Sequence, residues 1–164
     1  VADLVLPDIL VLGKALTAGY IGHACTVANH KVYDGFYSDK PEKALMHGPT
    51  FMGNALACAA ALKGIEIFER ENYMEKIKKI EEISRQQMQG FTNPKVREVR
   101  IMGACTCVEV YNPKDLEGFQ QFAYERGVFS RPFLSYMYSM VPYIIKEDEL
   151  IRIFDTMKAW FMKS

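Results

Sequence analysis

A lysine after an apolar run, a hydroxyl in a glycine-rich loop and an arginine set before a proline are the side chains best suited to chemistry here. Lys14 stands in Gly13-Lys14-Ala15-Leu16, directly after the β-rich run Ile9-Leu10-Val11-Leu12. The carboxyl edge of a sheet is where α/β proteins bind ligands. Burial there disfavours the ammonium form and leaves an amine able to bond a carbonyl carbon. Taken alone, a Gly-Lys pair is more often a surface turn.

The second group is His47-Gly48-Pro49-Thr50-Phe51-Met52-Gly53-Asn54. A permissive backbone and a hydroxyl precede a helix whose free N–H groups suit a phosphate. The same run also suits an ordinary helix start capped by Asn54. The third group is Arg131-Pro132-Phe133. Proline fixes the chain after the arginine, and a guanidinium can grip a carboxylate through two parallel hydrogen bonds. An internal ion pair is the alternative use of Arg131.

Local signals predict the elements that would position these groups. Residues 9–12 and 24–28 read as strands, and Asn29 caps a short helix over 30–37. Residues 38–42 are a polar surface loop. An alanine-rich helix over 55–70 is expected to pack on most sides, and an amphipathic helix over 71–89 ends at Gly90. Strands follow at 96–102 and 106–111, broken by Gly103, then a helix over 116–125 ended by Gly127. Short strands at 128–130 and 137–140 precede a closing helix over 147–163. The pattern changes near residue 70, from the interior of a large α/β layer to a complete small α/β domain with its sheet covered on one side.

Composition excludes several classes of function. Lysine plus arginine and aspartate plus glutamate both number 20, so no net field draws nucleic acid or membrane lipid. No apolar run is long enough for a bilayer span, and no signal peptide is expected from the N-terminal residues. His23, His30 and His47 show no metal spacing, and no metal is expected. Cys25, Cys58, Cys105 and Cys107 read as free thiols of a reducing cytoplasm, with Cys105 and Cys107 on one face of a strand.

The three groups together carry a resemblance. Pro7-Asp8-Ile9-Leu10-Val11-Leu12-Gly13-Lys14-Ala15-Leu16-Thr17-Ala18-Gly19-Tyr20 resembles the cofactor-lysine segment of class III aminotransferases. At the spacing those proteins use, residues 47–61 resemble their phosphate loop and following helix. The Gly48–Asn54 wording, and the tail Gly127-Val-Phe-Ser-Arg131-Pro132-Phe133 with Val141-Pro142-Tyr143-Ile144-Ile145, resemble the biotin-synthesis branch. The ornithine and 4-aminobutyrate branches differ at both places.

The resemblance implies an aspartate-aminotransferase-like α/β fold (fold type I of the pyridoxal 5'-phosphate, PLP, transferases). Residues 1–70 would end the large cofactor domain, and 71–164 would form the small C-terminal α/β domain. It implies PLP held covalently by Lys14, which would also shuttle the substrate proton. Thr50, with Pro49 beside it, would bind the cofactor phosphate, and this loop would reach the partner subunit's site in a homodimer. Gly48 would lie against substrate, and Arg131 would hold its carboxylate. Ala55 and Val141 replace prolines usual in the class. Its aspartate for the pyridine nitrogen and its Gly-Ser phosphate contacts would precede Val1. The chain is therefore expected to be a C-terminal piece of a longer enzyme, inactive by itself. Another ω-amino-acid aminotransferase of the class and a non-catalytic remnant are the alternatives.

Overall fold

Four successive apolar residues form strand β1 (Ile9–Leu12), which pairs antiparallel with β2 (Cys25–Ala28) in the register Ile9↔Ala28 to Leu12↔Cys25. These belong to a computed structural model that describes residues 5–162. The chain divides into two units, Val1–Glu71 and Asn72–Ser164.

In the first unit Asn29 ends β2 and caps helix α1 (His30–Phe36). Its side-chain oxygen accepts from the Val32 N–H at 3.1 Å, and its amide donates to the Asp8 carboxylate at 2.6 Å. One residue thus ties the start of α1 back to the approach to β1. The expected polar loop after α1 contains a short 3-10 turn, Pro41–Lys43.

Helix α2 (Ala55–Arg70) is capped by Asn54, whose side-chain oxygen accepts from the Ala57 N–H at 3.1 Å. Its expected packing on most sides is corrected here. Ala57 and Ala61, one turn apart, are buried, whereas Leu56, Leu62 and Ile65 are exposed. An alanine-rich helix covers little surface by itself, and the described part of this unit buries only the alanine stripe.

The second unit opens with α3 (Tyr73–Met88), two residues later than expected because Asn72 is left-handed (φ 49°) and separates it from α2. Gly90 follows it at φ 71°, the conformation glycine favours after a helix. Strands β3 (Val96–Met102), β4 (Cys105–Val110) and β5 (Tyr136–Met140) form an antiparallel sheet in that order. Val108, Val110 and Met137 from one face of this sheet enter a core with Ile80 of α3 and Leu150 and Phe154 of α5 (Glu147–Phe161). The predicted end of α5 at Lys163 lies outside the described residues.

On the opposite sheet face Glu109 is nearly buried and accepts from Arg97 at 3.1 Å and Arg100 at 2.9 Å. Cys107 shares this face. Burial pushes its thiol up, which the Arg100 hydrogen bond offsets only in part, so it is a poor nucleophile.

Two predicted elements differ. The single helix over 116–125 is a 3-10 turn (Pro113–Leu116) and then α4 (Phe119–Tyr124), because Gly118 between them is left-handed at φ 84°. Residues 128–130 form no strand. Among the described residues no helix is long and apolar enough to cross a membrane, and no three His, Cys, Asp or Glu gather as a metal site.

The β3–β4 hairpin is stapled to α3 by a carboxylate. Glu81 accepts from the Gly103 N–H at 2.7 Å and from Arg85 at 2.6 Å, and Arg85 donates onward to the Ile101 carbonyl at 3.0 Å. A Cβ at Gly103 would stand 3.0 Å from Ile77 Cγ2, which shows how closely the turn approaches the helix. The Arg85 hydrogen bond, and then the Gly103 N–H, hold the Glu81 carboxyl below its ordinary 4.5. A depressed folded-state value stabilises the fold above the unfolded value, and that contribution is lost as pH falls through the folded one. Glu81→Gln should therefore lower Tm at neutral pH. The gap to wild type should begin to narrow as the pH drops below 4.5 and close only below the depressed folded-state value; thermal melts across that range check both.

Candidate active site

Lys14 begins a 3-10 turn (Lys14–Thr17) one residue beyond β1, and its own backbone is left-handed at φ 48°. A side chain in that region is strained by roughly 1–2 kcal/mol, so the surroundings must impose it. Two contacts do so. The Thr17 side chain is fully buried and its hydroxyl donates to the Ile21 carbonyl. Gly64 of α2 also lies against the turn: a Cβ there would stand 3.5 Å from both the Leu16 carbonyl oxygen and Ala18 Cβ. A methyl there would fit in ordinary van der Waals contact, with no spare space toward the turn. Lys14 itself is exposed, which corrects the expected burial, since β1 lies open apart from its pairing with β2. Among the described residues it has no carboxylate partner.

The glycine-rich loop makes a tight turn in which the Met52 N–H donates to the Pro49 carbonyl at 2.9 Å, leaving Thr50 and Phe51 at its centre. Among the described residues the Thr50 hydroxyl and the Thr50 and Phe51 N–H groups have no acceptor. No acidic residue occurs from His47 to Asn54. Such a donor set, exposed and without a competing carboxylate, fits a phosphate. Gly48 faces open space, with only Met52 Cε at 3.5 Å from where a Cβ would stand. Free donors on the loop and an unpaired amine on Lys14 therefore fit the phosphate and carbonyl ends of PLP.

Arg131 belongs to the second unit. It is exposed, and among the described residues it has neither ion pair nor hydrogen bond. Arg70, Arg85, Arg97 and Arg100 are all ion-paired, Arg126 lies 3.5 Å over the Phe122 ring, and Arg152, like Arg131, has no ion pair among the described residues. The internal ion pair considered for Arg131 thus finds no partner. It borders a depression walled by Phe129, Met140, Val141 and Ile145, an apolar trough with one cation at its edge.

Lys14, Gly48, Pro49 and Thr50 therefore fall in the first unit and Arg131 in the second. Sequence reasoning passed over Thr17 and Gly64. The signal for Gly64 was present: a glycine inside a helix costs about 1 kcal/mol against alanine and calls for a packing reason. Thr17 carries no such local signal.

The profile of the family described as aminotransferase class-III matches residues 2–161, and the chain belongs to that family. Over 91% of its length it is 40% identical to adenosylmethionine-8-amino-7-oxononanoate aminotransferase of Saccharomyces cerevisiae, of which it covers 33%. Among solved structures, the adenosylmethionine-8-amino-7-oxononanoate aminotransferase of Methanocaldococcus jannaschii superposes with a TM-score of 0.82 at 31% identity, over 96% of this chain and 39% of that one. An amine transaminase from an uncultivated Pseudomonas species, solved in its PLP-bound form, gives 0.80 at 26% identity, over 95% of this chain and 38% of that one. The chain thus spans about a third of the length of the curated relatives it matches.

The Lys14 turn depends on Thr17. Thr17→Val keeps the volume but removes the hydrogen bond to the Ile21 carbonyl, a net loss of about 0.5–1.5 kcal/mol because water can reach that exposed residue. Hydrogen exchange across residues 16–20 should quicken while α3 and α5 exchange as before. Equal protection of these residues in the two proteins would show that the hydroxyl does not hold the turn.

Proposed function

We propose that this chain is the C-terminal part of a PLP-dependent aminotransferase of biotin synthesis. The reaction moves the amino group of S-adenosylmethionine to 8-amino-7-oxononanoate and yields 7,8-diaminononanoate. One observation carries the reading: over 91% of its length the chain is 40% identical to the adenosylmethionine-8-amino-7-oxononanoate aminotransferase of Saccharomyces cerevisiae. Lys14, the Thr50 hydroxyl and Arg131 also have no internal partners among the described residues, which leaves them open to a ligand.

PLP when bound supplies the electrophilic carbon and the conjugated ring that make amino-group transfer possible. Lys14 Nζ would hold it covalently, and its amine would carry a proton to and from the substrate carbon. The left-handed turn fixes where that amine starts. The Thr50 hydroxyl and the adjacent N–H groups bind the phosphate, with Pro49 setting the turn. Gly48 leaves room for substrate at the loop. The Arg131 guanidinium grips the acceptor's carboxylate, and the apolar trough beside it suits an alkyl chain.

A homodimer in which the Thr50 loop serves the partner's site fits the dimensions of α2. The contact with the Lys14 turn at Gly64 lies nine residues into the helix, about 14 Å along its axis at 1.5 Å per residue, and the loop precedes the helix. Four free cysteines support a cytoplasmic setting.

Borohydride reduction of the full-length, PLP-loaded protein should place a pyridoxyl group on Lys14 alone; a label on another lysine ends the assignment. Donor assays on the same protein should give turnover with S-adenosylmethionine, whereas turnover with 4-aminobutyrate or ornithine instead would move it to another branch. Arg131→Ala should lower kcat/KM for the acid acceptor by about thirty- to a thousand-fold. Its visible cofactor absorbance and Tm should stay those of wild type, because no internal partner is lost. An unchanged kcat/KM would remove Arg131 from the site.

A further inference from the structure

We infer that Ser130 is a positioning residue for carboxylate recognition: its hydroxyl fixes the backbone from which Arg131 reaches the substrate. The inference rests on the assignment of Arg131 just made and goes beyond it.

Ser130 is buried, unlike the arginine that follows it, and its Oγ donates to the Tyr138 carbonyl of β5 at 3.3 Å. Three residues on, Phe133 and Tyr136 exchange both backbone hydrogen bonds, at 2.8 and 2.9 Å, around a left-handed Leu134 (φ 51°). In an antiparallel ladder the next bonded pair after Phe133↔Tyr136 would join Arg131 to Tyr138. The ladder does not continue, and the Tyr138 carbonyl takes the Ser130 hydroxyl instead. Among the described residues this is the one hydrogen bond that ties 128–132 to β5.

Arg131 and Pro132 thus span two anchors on the same strand. Proline fixes its own φ, and Arg131 is left with little backbone freedom. A bidentate guanidinium grip depends on direction as well as distance, and loss of one anchor lets the fork swing. Tyr138 is itself paired with Cys107 of β4, so the anchor is a strand held within the sheet.

The test uses the full-length, PLP-loaded enzyme with 8-amino-7-oxononanoate and with its methyl ester, which lacks the charge. Ser130→Ala should raise KM for the acid about three- to tenfold, the worth of one net hydrogen bond, with kcat little changed. KM for the ester should stay at the wild-type value, and Ser130→Thr, which keeps the hydroxyl, should restore KM for the acid. If Ser130→Ala is too unstable to assay, Ser130→Cys keeps the size and loses the strong donor. Equal changes for acid and ester, or no change for either, overturn the inference. Arg131→Ala run in parallel tells the two failures apart. If it discriminates acid from ester and the Ser130 variants do not, only the role of Ser130 falls; if it does not discriminate, the Arg131 assignment falls as well.

Discussion

The absence of a side chain at Gly64 is the constraint on which the first unit turns. It lets α2 lie so near the turn that a Cβ added there would already be in van der Waals contact with the Leu16 carbonyl and Ala18 Cβ. The helix thereby serves as a wall for the Lys14–Thr17 turn while its other end launches the loop that carries Thr50. The strained φ of Lys14 is held from two directions, by this wall and by the buried Thr17 hydroxyl. Strain of that kind persists only where neighbours over-determine the backbone, and here both are identified.

The second unit is built differently, around an apolar core beneath its sheet, with Arg131 exposed beyond the sheet's margin. Phe119, Phe154 and Met137 fill its interior, and Trp160 meets Phe119 and Phe122 edge-on at 5.7 and 5.3 Å. Polar anchors then tie irregular segments to this rigid body. Glu81 holds the Gly103 turn, and the Trp160 indole donates to the Asp115 carbonyl at 2.8 Å. Gly127 closes α4 with paired bonds from Gly127 N–H to Tyr124 and from Val128 N–H to Ala123, releasing the chain in an extended course toward Arg131.

Charges in this protein sort by use. Pairs such as Lys63 with Glu66 and Lys78 with Glu75 lie one turn apart on exposed helix faces, where they add little stability and favour solubility. Glu109 is the opposite case, a nearly buried carboxylate held by two arginines on the sheet. Lys14, Thr50 and Arg131 belong to neither group. An internal partner at any of them would compete for the hydrogen bonds that a ligand could make.

Much of the fold was legible in the sequence because its signals are local. The apolar run before Gly13, the Asn29 and Asn54 caps, the helix over 55–70 and the glycines at 90, 103 and 127 each act on neighbouring residues, and each element stands close to where those signals put it. The donor groups that Lys14, Thr50 and Arg131 offer were visible for the same reason, since residue type and immediate neighbours define them. What depended on distant residues was not. The 128–130 segment stays out of the sheet and meets β5 only through the Ser130 hydroxyl at the Tyr138 carbonyl, among the described residues; the break at Gly118 was by contrast a local glycine signal inside the expected helix. The partners of Glu109 were set by strand register, and the exposure of Leu56, Leu62 and Ile65 by what the rest of the described unit leaves uncovered. Composition and periodicity specify which groups a segment offers. Only the tertiary structure decides which offers are taken up, because that choice is made between residues far apart in the chain.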